Sequence, residues 1–150
     1  MSNFLIFFLS LLFLQLTAAT ATNPTITLGI HPINELSIEN KAPLSLLQNS
    51  KHTPIETYSA YAITTNGDAK KIIGSIDGEL IENAILKITL EAPKGAISLG
   101  QRTLSKEDTI LVSNISRIAQ NNLHITYSMS SSSNILSGSY AKTVKLTLVD

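Results

Sequence analysis

The sequence predicts an all-β domain, an immunoglobulin-like antiparallel β-sandwich of about seven to nine short strands. Three observations carry this. Apolar and polar residues alternate with period two through most of the chain beyond residue 21. Gly, Asn, Asp and Pro punctuate that alternation about every 8–12 residues, the spacing of a sandwich. Helical spacing fits only residues 79–85 and 113–122, each long enough for a single turn.

The elements follow in chain order. Residues 3–16 are almost unbroken apolar sequence, and the small-x-small pattern Ala19-Thr20-Ala21 follows. This reads as a signal peptide over 1–21, cut after Ala21 and leaving 22–150 as the mature domain. The run is shorter than the roughly 20 apolar residues of a membrane span, so the mature form is expected to carry none. No Lys or Arg precedes the apolar core; Met1 supplies the only charge there.

Ile26, Leu28 and Ile30 alternate on one face of a first strand, which Pro32 ends or confines to an edge. Leu36 and Ile38 continue the pattern, 43–47 is a short apolar piece, and 48–54 reads as a loop. Over 56–65, Tyr58, Ala60 and Ala62 face one way and Ser59, Tyr61 and Ile63 the other. Asn66-Gly67-Asp68 then turns the chain, since Asn and Gly accept positive φ. Residues 71–76 form the next strand and Asp77-Gly78 the next turn. Over 84–90, Leu86, Ile88 and Leu90 share a face that should point inward. Residues 91–105, with Pro93, Gly95 and Gly100, read as a loop, and 109–115 as a strand. Asn121-Asn122 reads as a turn into 123–127, and Ser-rich 128–139 as a loop or frayed strand end. In the closing strand Val144, Leu146 and Leu148 oppose Thr143, Lys145 and Thr147.

Composition narrows the function. All four Phe residues lie in the leader, so the mature core must be built from Ile, Leu and Val. There is no Cys: no disulfide staples this exported domain, and no thiol serves as nucleophile or ligand. The formal charge is zero, with no basic field for nucleic acid. Lys70-Lys71 beside Asp68 is a solvated turn.

His31, His52 and His124 stand far apart in sequence, without neighbouring ligands at metal spacing. Serines are plentiful, but no Gly-x-Ser-x-Gly elbow accompanies them. Asp77, Glu79 and Glu82 do not match a calcium loop. Asn114-Ile115-Ser116 is a glycosylation sequon inside an expected strand. No enzyme, metal or cofactor is expected. A carbohydrate-binding module, the alternative, would need aromatic platforms. Only Tyr58, Tyr61, Tyr127 and Tyr140 are on hand, with Tyr58 and Tyr61 on opposite faces.

Strand edges are the sharper feature. Residues 22–30 are uncharged, follow the new terminus, and present Ile26, Leu28 and Ile30 in alternation. Such a segment can pair within its own domain or add to a neighbouring copy.

The closing run Gly138-Ser139-Tyr140-Ala141-Lys142-Thr143-Val144-Lys145-Leu146-Thr147-Leu148 resembles the last strand of bacterial fimbrial subunits and of spore-coat-U-type secreted proteins. Ile26-Thr27-Leu28-Gly29-Ile30 and Ile33-Asn34-Glu35-Leu36-Ser37-Ile38 are similar to the opening of such exported sandwiches. The cysteines frequent in fimbrial subunits are missing here. The resemblance implies an immunoglobulin-like sandwich, export to the periplasm, cell surface or medium, and assembly into surface filaments by donated strands. In that expectation Ile26, Leu28 and Ile30 are the donated strand. Leu86, Ile88 and Leu90 with Val144, Leu146 and Leu148 line the acceptor strands. The expected function is that of a structural or adhesive surface protein whose partners are further copies or related subunits.

Overall fold

The alternation becomes nine strands among the described residues of a computed structural model, which describes 29–39, 54–80, 82–131 and 142–150. Contacts divide the chain into Met1–Ile30 and His31–Asp150, and the nine strands among the described residues lie in the second unit. Of the first unit only Gly29 and Ile30 are described, both exposed and outside any strand. The expected signal segment 1–21, Ile26, Leu28, the 43–47 piece, His52 and Tyr140 lie outside the described residues.

The strands are β1 (Asn34–Glu39), β2 (Ile55–Thr65), β3 (Lys70–Ile76), β4 (Ala84–Leu90), β5 (Ile97–Ser98), β6 (Arg102–Thr103), β7 (Thr109–Ile115), β8 (Ile118–Ser131) and β9 (Val144–Val149). They form two antiparallel sheets, ordered β1-β2-β8-β4-β6 and β5-β7-β3-β9. This is the β-sandwich that the alternation predicts, and no helix occurs among the described residues.

Each sheet turns one face to a shared core. Tyr61 and Ile63 of β2, Leu86, Ile88 and Leu90 of β4, and Leu123, Ile125 and Tyr127 of β8 come from the first sheet. Ile72 and Ile76 of β3 and Leu111, Val112 and Ile115 of β7 come from the second. Burying each such side chain contributes about 1.5–3 kcal/mol, and no cross-link supplements them. Gly74 sits where the second sheet meets this core. A Cβ there would lie 2.7 Å from Leu111 Cδ1 and 3.2 Å from Leu146 Cδ2, so only glycine leaves room for both leucines.

Residues 91–105 depart from the loop expectation. Within them β5 pairs with β7 and β6 with β4, so the chain steps from one sheet to the other across seven residues' span, 97–103. Leu104 drops into the core, and its N–H donates to the Leu86 carbonyl at 2.9 Å. This crossover closes one side of the sandwich.

The Asn121-Asn122 turn is also corrected. β8 runs straight through, with Asn122 at φ 58 and a register shift opposite β2 between Tyr61 and Ile63. The asparagines make a β-bulge, in which an extra residue is absorbed without reversing the chain. The reversal falls at Ser116-Arg117, with Arg117 at φ 44. The turn after β2 forms where expected, but its left-handed residue is Ala69 (φ 54). These two turns are laced together. The Arg117 N–H donates to the Gly67 carbonyl at 2.9 Å, and the Ala69 N–H to Ser116 Oγ at 3.0 Å. β8 also carries through the first residues of the Ser-rich stretch, and buries Ser128 and Ser131.

Candidate functional site

The side of the sandwich opposite the 97–103 crossover carries β1, the last strand of one sheet, and β9, the last of the other. The two lie against each other there. β1 is paired on one side by β2, and β9 on one side by β3. Among the described residues nothing pairs with their outer edges. Edge strands present unpaired N–H and C=O groups and are the natural places for another strand to add.

Both edges are anchored in the same way. After β2, the Asn66 N–H donates to the Ile33 carbonyl at 3.2 Å. Asn66 Oδ1 accepts from the Ile33 N–H at 2.9 Å, and its Nδ2 donates to the His31 carbonyl at 2.8 Å. After β3, the Asp77 N–H donates to the Thr143 carbonyl at 3.1 Å, and Asp77 Oδ1 accepts from the Thr143 N–H at 2.8 Å. In each case an Asx side chain stands in for the backbone carbonyl and extends the ladder by one pair beyond the strand. The carboxylate version is charged. Hydrogen bonding from Thr143 and the nearby Lys142 ammonium hold Asp77 below the ordinary carboxylate range. The far end of β9 is held by an ion pair between Lys70 and Asp150, which likewise lowers Asp150.

These anchors set which backbone groups point outward. Residues of an antiparallel strand bond alternately toward one neighbour and the other. Ile33 bonds toward β2, and so does Glu39, whose carbonyl accepts from Ser59 Oγ. The odd positions of β1 therefore face β2, and Asn34, Leu36 and Ile38 face the open edge. Thr143 bonds toward the β3 side. By the same alternation Val144, Leu146 and Leu148 face the open edge of β9. The side chains of Leu36, Ile38, Val144, Leu146 and Leu148 pack against the core yet stay half-buried. A further strand at either edge would cover them.

The two sets of expected acceptor residues separate. Leu86, Ile88 and Leu90 are buried in β4, which is bonded to β8 along its length and to β6 at Lys87 and Ile88. Val144, Leu146 and Leu148 lie in the other sheet, on the open edge. Of the expected donor residues Ile30 is described, and its side chain is 87 % exposed.

A shallow apolar groove of about 330 Å³ lies at the end of the first sheet, between Ile33, Thr64, Asn66, Ile118 and Ala119. Arg117, paired with Asp68 at 2.8 Å, borders it. Tyr61 and Tyr127 are core residues, so Tyr58 is the one exposed tyrosine among the described residues. Its hydroxyl donates to Glu56 Oε2 at 2.8 Å, and that bond and the Glu56 charge raise its pKa. Among the described residues no group of three or more His, Asp or Glu stands close enough to hold a metal. His31 and His124 are exposed. Among the described residues no helix is long and apolar enough to cross a membrane.

Sequence reading marked Asn66 and Asp77 as turn residues and missed them as anchors. Their partners lie 33 and 66 residues away, beyond any local pattern. An Asx immediately after a strand that must end beside a sheet edge is the signal to look for. No family model, curated protein or solved structure matches this chain.

Proposed function

We propose that this chain is an exported structural protein that works by self-association, adding strands to the open edges of its sandwich. The observation that carries this reading is the pair of edges on one side that nothing among the described residues pairs with, each lined by half-buried apolar side chains. An edge of that kind invites another strand unless it is capped or charged along its length. The apolar leader supports export, and the resemblance of 138–148 to the closing strand of filament subunits supports a structural or adhesive role at a cell surface. Segment 22–30 with Ile26, Leu28 and Ile30 is one source of the added strand, donated to a neighbouring copy.

Light scattering on residues 22–150 across a concentration series tests the reading. Species larger than the monomer are expected, growing with concentration. A monomer throughout would overturn self-association and leave a self-contained binding module.

A further inference from the structure

We infer that β1 of one copy pairs with β9 of a second copy, and β9 of the first with β1 of the second, to give a closed two-fold dimer. The inference rests on the self-association reading and names its partner: an identical sandwich presented open side to open side.

Direction permits it. β2 and β3 are joined by a short turn, so they run oppositely; β1 opposes β2 and β9 opposes β3. β1 and β9 are therefore antiparallel to each other. Rotating a copy by half a turn about the strand direction brings its β9 beside the first copy's β1 without reversing either strand. The five-stranded sheet of each copy would then continue into the four-stranded sheet of the other.

Register follows from the outward-facing groups. Setting Leu36 opposite Leu148 and Ile38 opposite Leu146 joins residues whose N–H and C=O both point outward, as a hydrogen-bonded antiparallel pair requires. The same register sets Asn34 to Glu39 against Asp150 to Lys145, an offset of one residue from the ends of β9. On the inner face leucines meet leucine and isoleucine and extend the core across the seam. On the outer face Glu39 meets Lys145, and Ser37 meets Thr147. Glu39 and Lys145 are both exposed in the single chain, and opposite charges directly across a ladder attract.

Charge also selects between the two possible two-folds. The other axis would pair β1 with β1, placing Glu35 and Glu39 of both copies on one ladder, and β9 with β9. Like charges directly opposite are destabilising. Glu39 on β1 and Lys145 on β9 each prefer the other.

The test is a charge-reversal cycle on residues 22–150, read by sedimentation equilibrium. Glu39→Lys and Lys145→Glu should each raise the dimer dissociation constant roughly tenfold or more, because each acts at two seams. The double variant should recover most of the loss. Far-UV circular dichroism confirms that the variants keep the fold. Removing 22–30 should leave the dimer intact. If the protein assembles but the reversals leave the constant unchanged, this pairing is overturned and self-association stands. If removing 22–30 abolishes assembly, the donated segment holds the copies together instead. A monomer at every concentration would overturn both.

Discussion

Tyr61 is a fully buried core side chain that carries a polar atom into the interior. Its ring is fully buried, and its hydroxyl donates to the Glu91 carbonyl, the first residue beyond β4. Burial, and to a lesser degree the Glu91 charge, push the phenol pKa up, so it remains a neutral donor through the physiological range. Tyr61→Phe keeps the ring and strands that carbonyl. The expected cost is about 1–2 kcal/mol, the desolvation penalty of an unsatisfied acceptor. It should appear as a lower denaturant midpoint with an unchanged m-value. An unchanged midpoint would mean that water replaces the hydroxyl at no cost. The alternation over 56–65 placed Tyr61 and Ile63 together and Tyr58 opposite. Pattern alone could not say which face was inside, because each held one tyrosine. The answer comes from β8, whose Leu123, Ile125 and Tyr127 stand beside Tyr61 on the same face of the sheet.

At the scale of the element, the two edge strands share one anchoring device in two chemistries. Asn66 holds the start of β1 with a neutral amide, while Asp77 holds the start of β9 with a carboxylate. The folded-state pKa of Asp77 is depressed, chiefly by the Thr143 N–H. Its contribution is therefore fully present above the unfolded-state value and is lost as pH falls through the folded one. Below the ordinary carboxylate range, the Thr143 amide should lose protection from hydrogen exchange while the Ile33 amide keeps its own. Asp77→Asn should remove the difference. Equal loss at both amides would assign the acid response to the whole sheet rather than to this anchor. β4, which alternates strictly, was legible to the residue, and β7 was legible from its apolar run. The two-residue strands β5 and β6 were not. Their pairing depends on where β7 and β4 stand, and two residues carry no period. The Asn121-Asn122 bulge was misread because a left-handed asparagine serves a bulge as well as a turn. The true reversal at Ser116-Arg117 uses a left-handed arginine, a residue with no turn preference of its own.

At the scale of the whole molecule, the two sides of the sandwich differ, and the proposed assembly follows from that difference. One side carries the 97–103 crossover and Leu104; on the other, nothing among the described residues pairs with the outer edges of β1 and β9. That contrast was not readable from the chain, since an edge is a property of strand order and the strand order here arises from long-range pairing. Its thermodynamic consequence is specific. A partner that binds the folded state alone stabilises it in proportion to the logarithm of partner concentration over the dissociation constant. In the proposed assembly the partner is a second copy, so the melting temperature of residues 22–150 should rise with protein concentration. Lys145→Glu should flatten that rise and leave the dilute-limit value nearly unchanged, because Lys145 is exposed in the single chain. Reducing agent should change neither value, since the chain holds no cysteine. A melting temperature independent of concentration, in a protein that scattering shows to be assembled, would place the association in the unfolded or partly folded chain. The open edges would then be a route to aggregation rather than to a native interface.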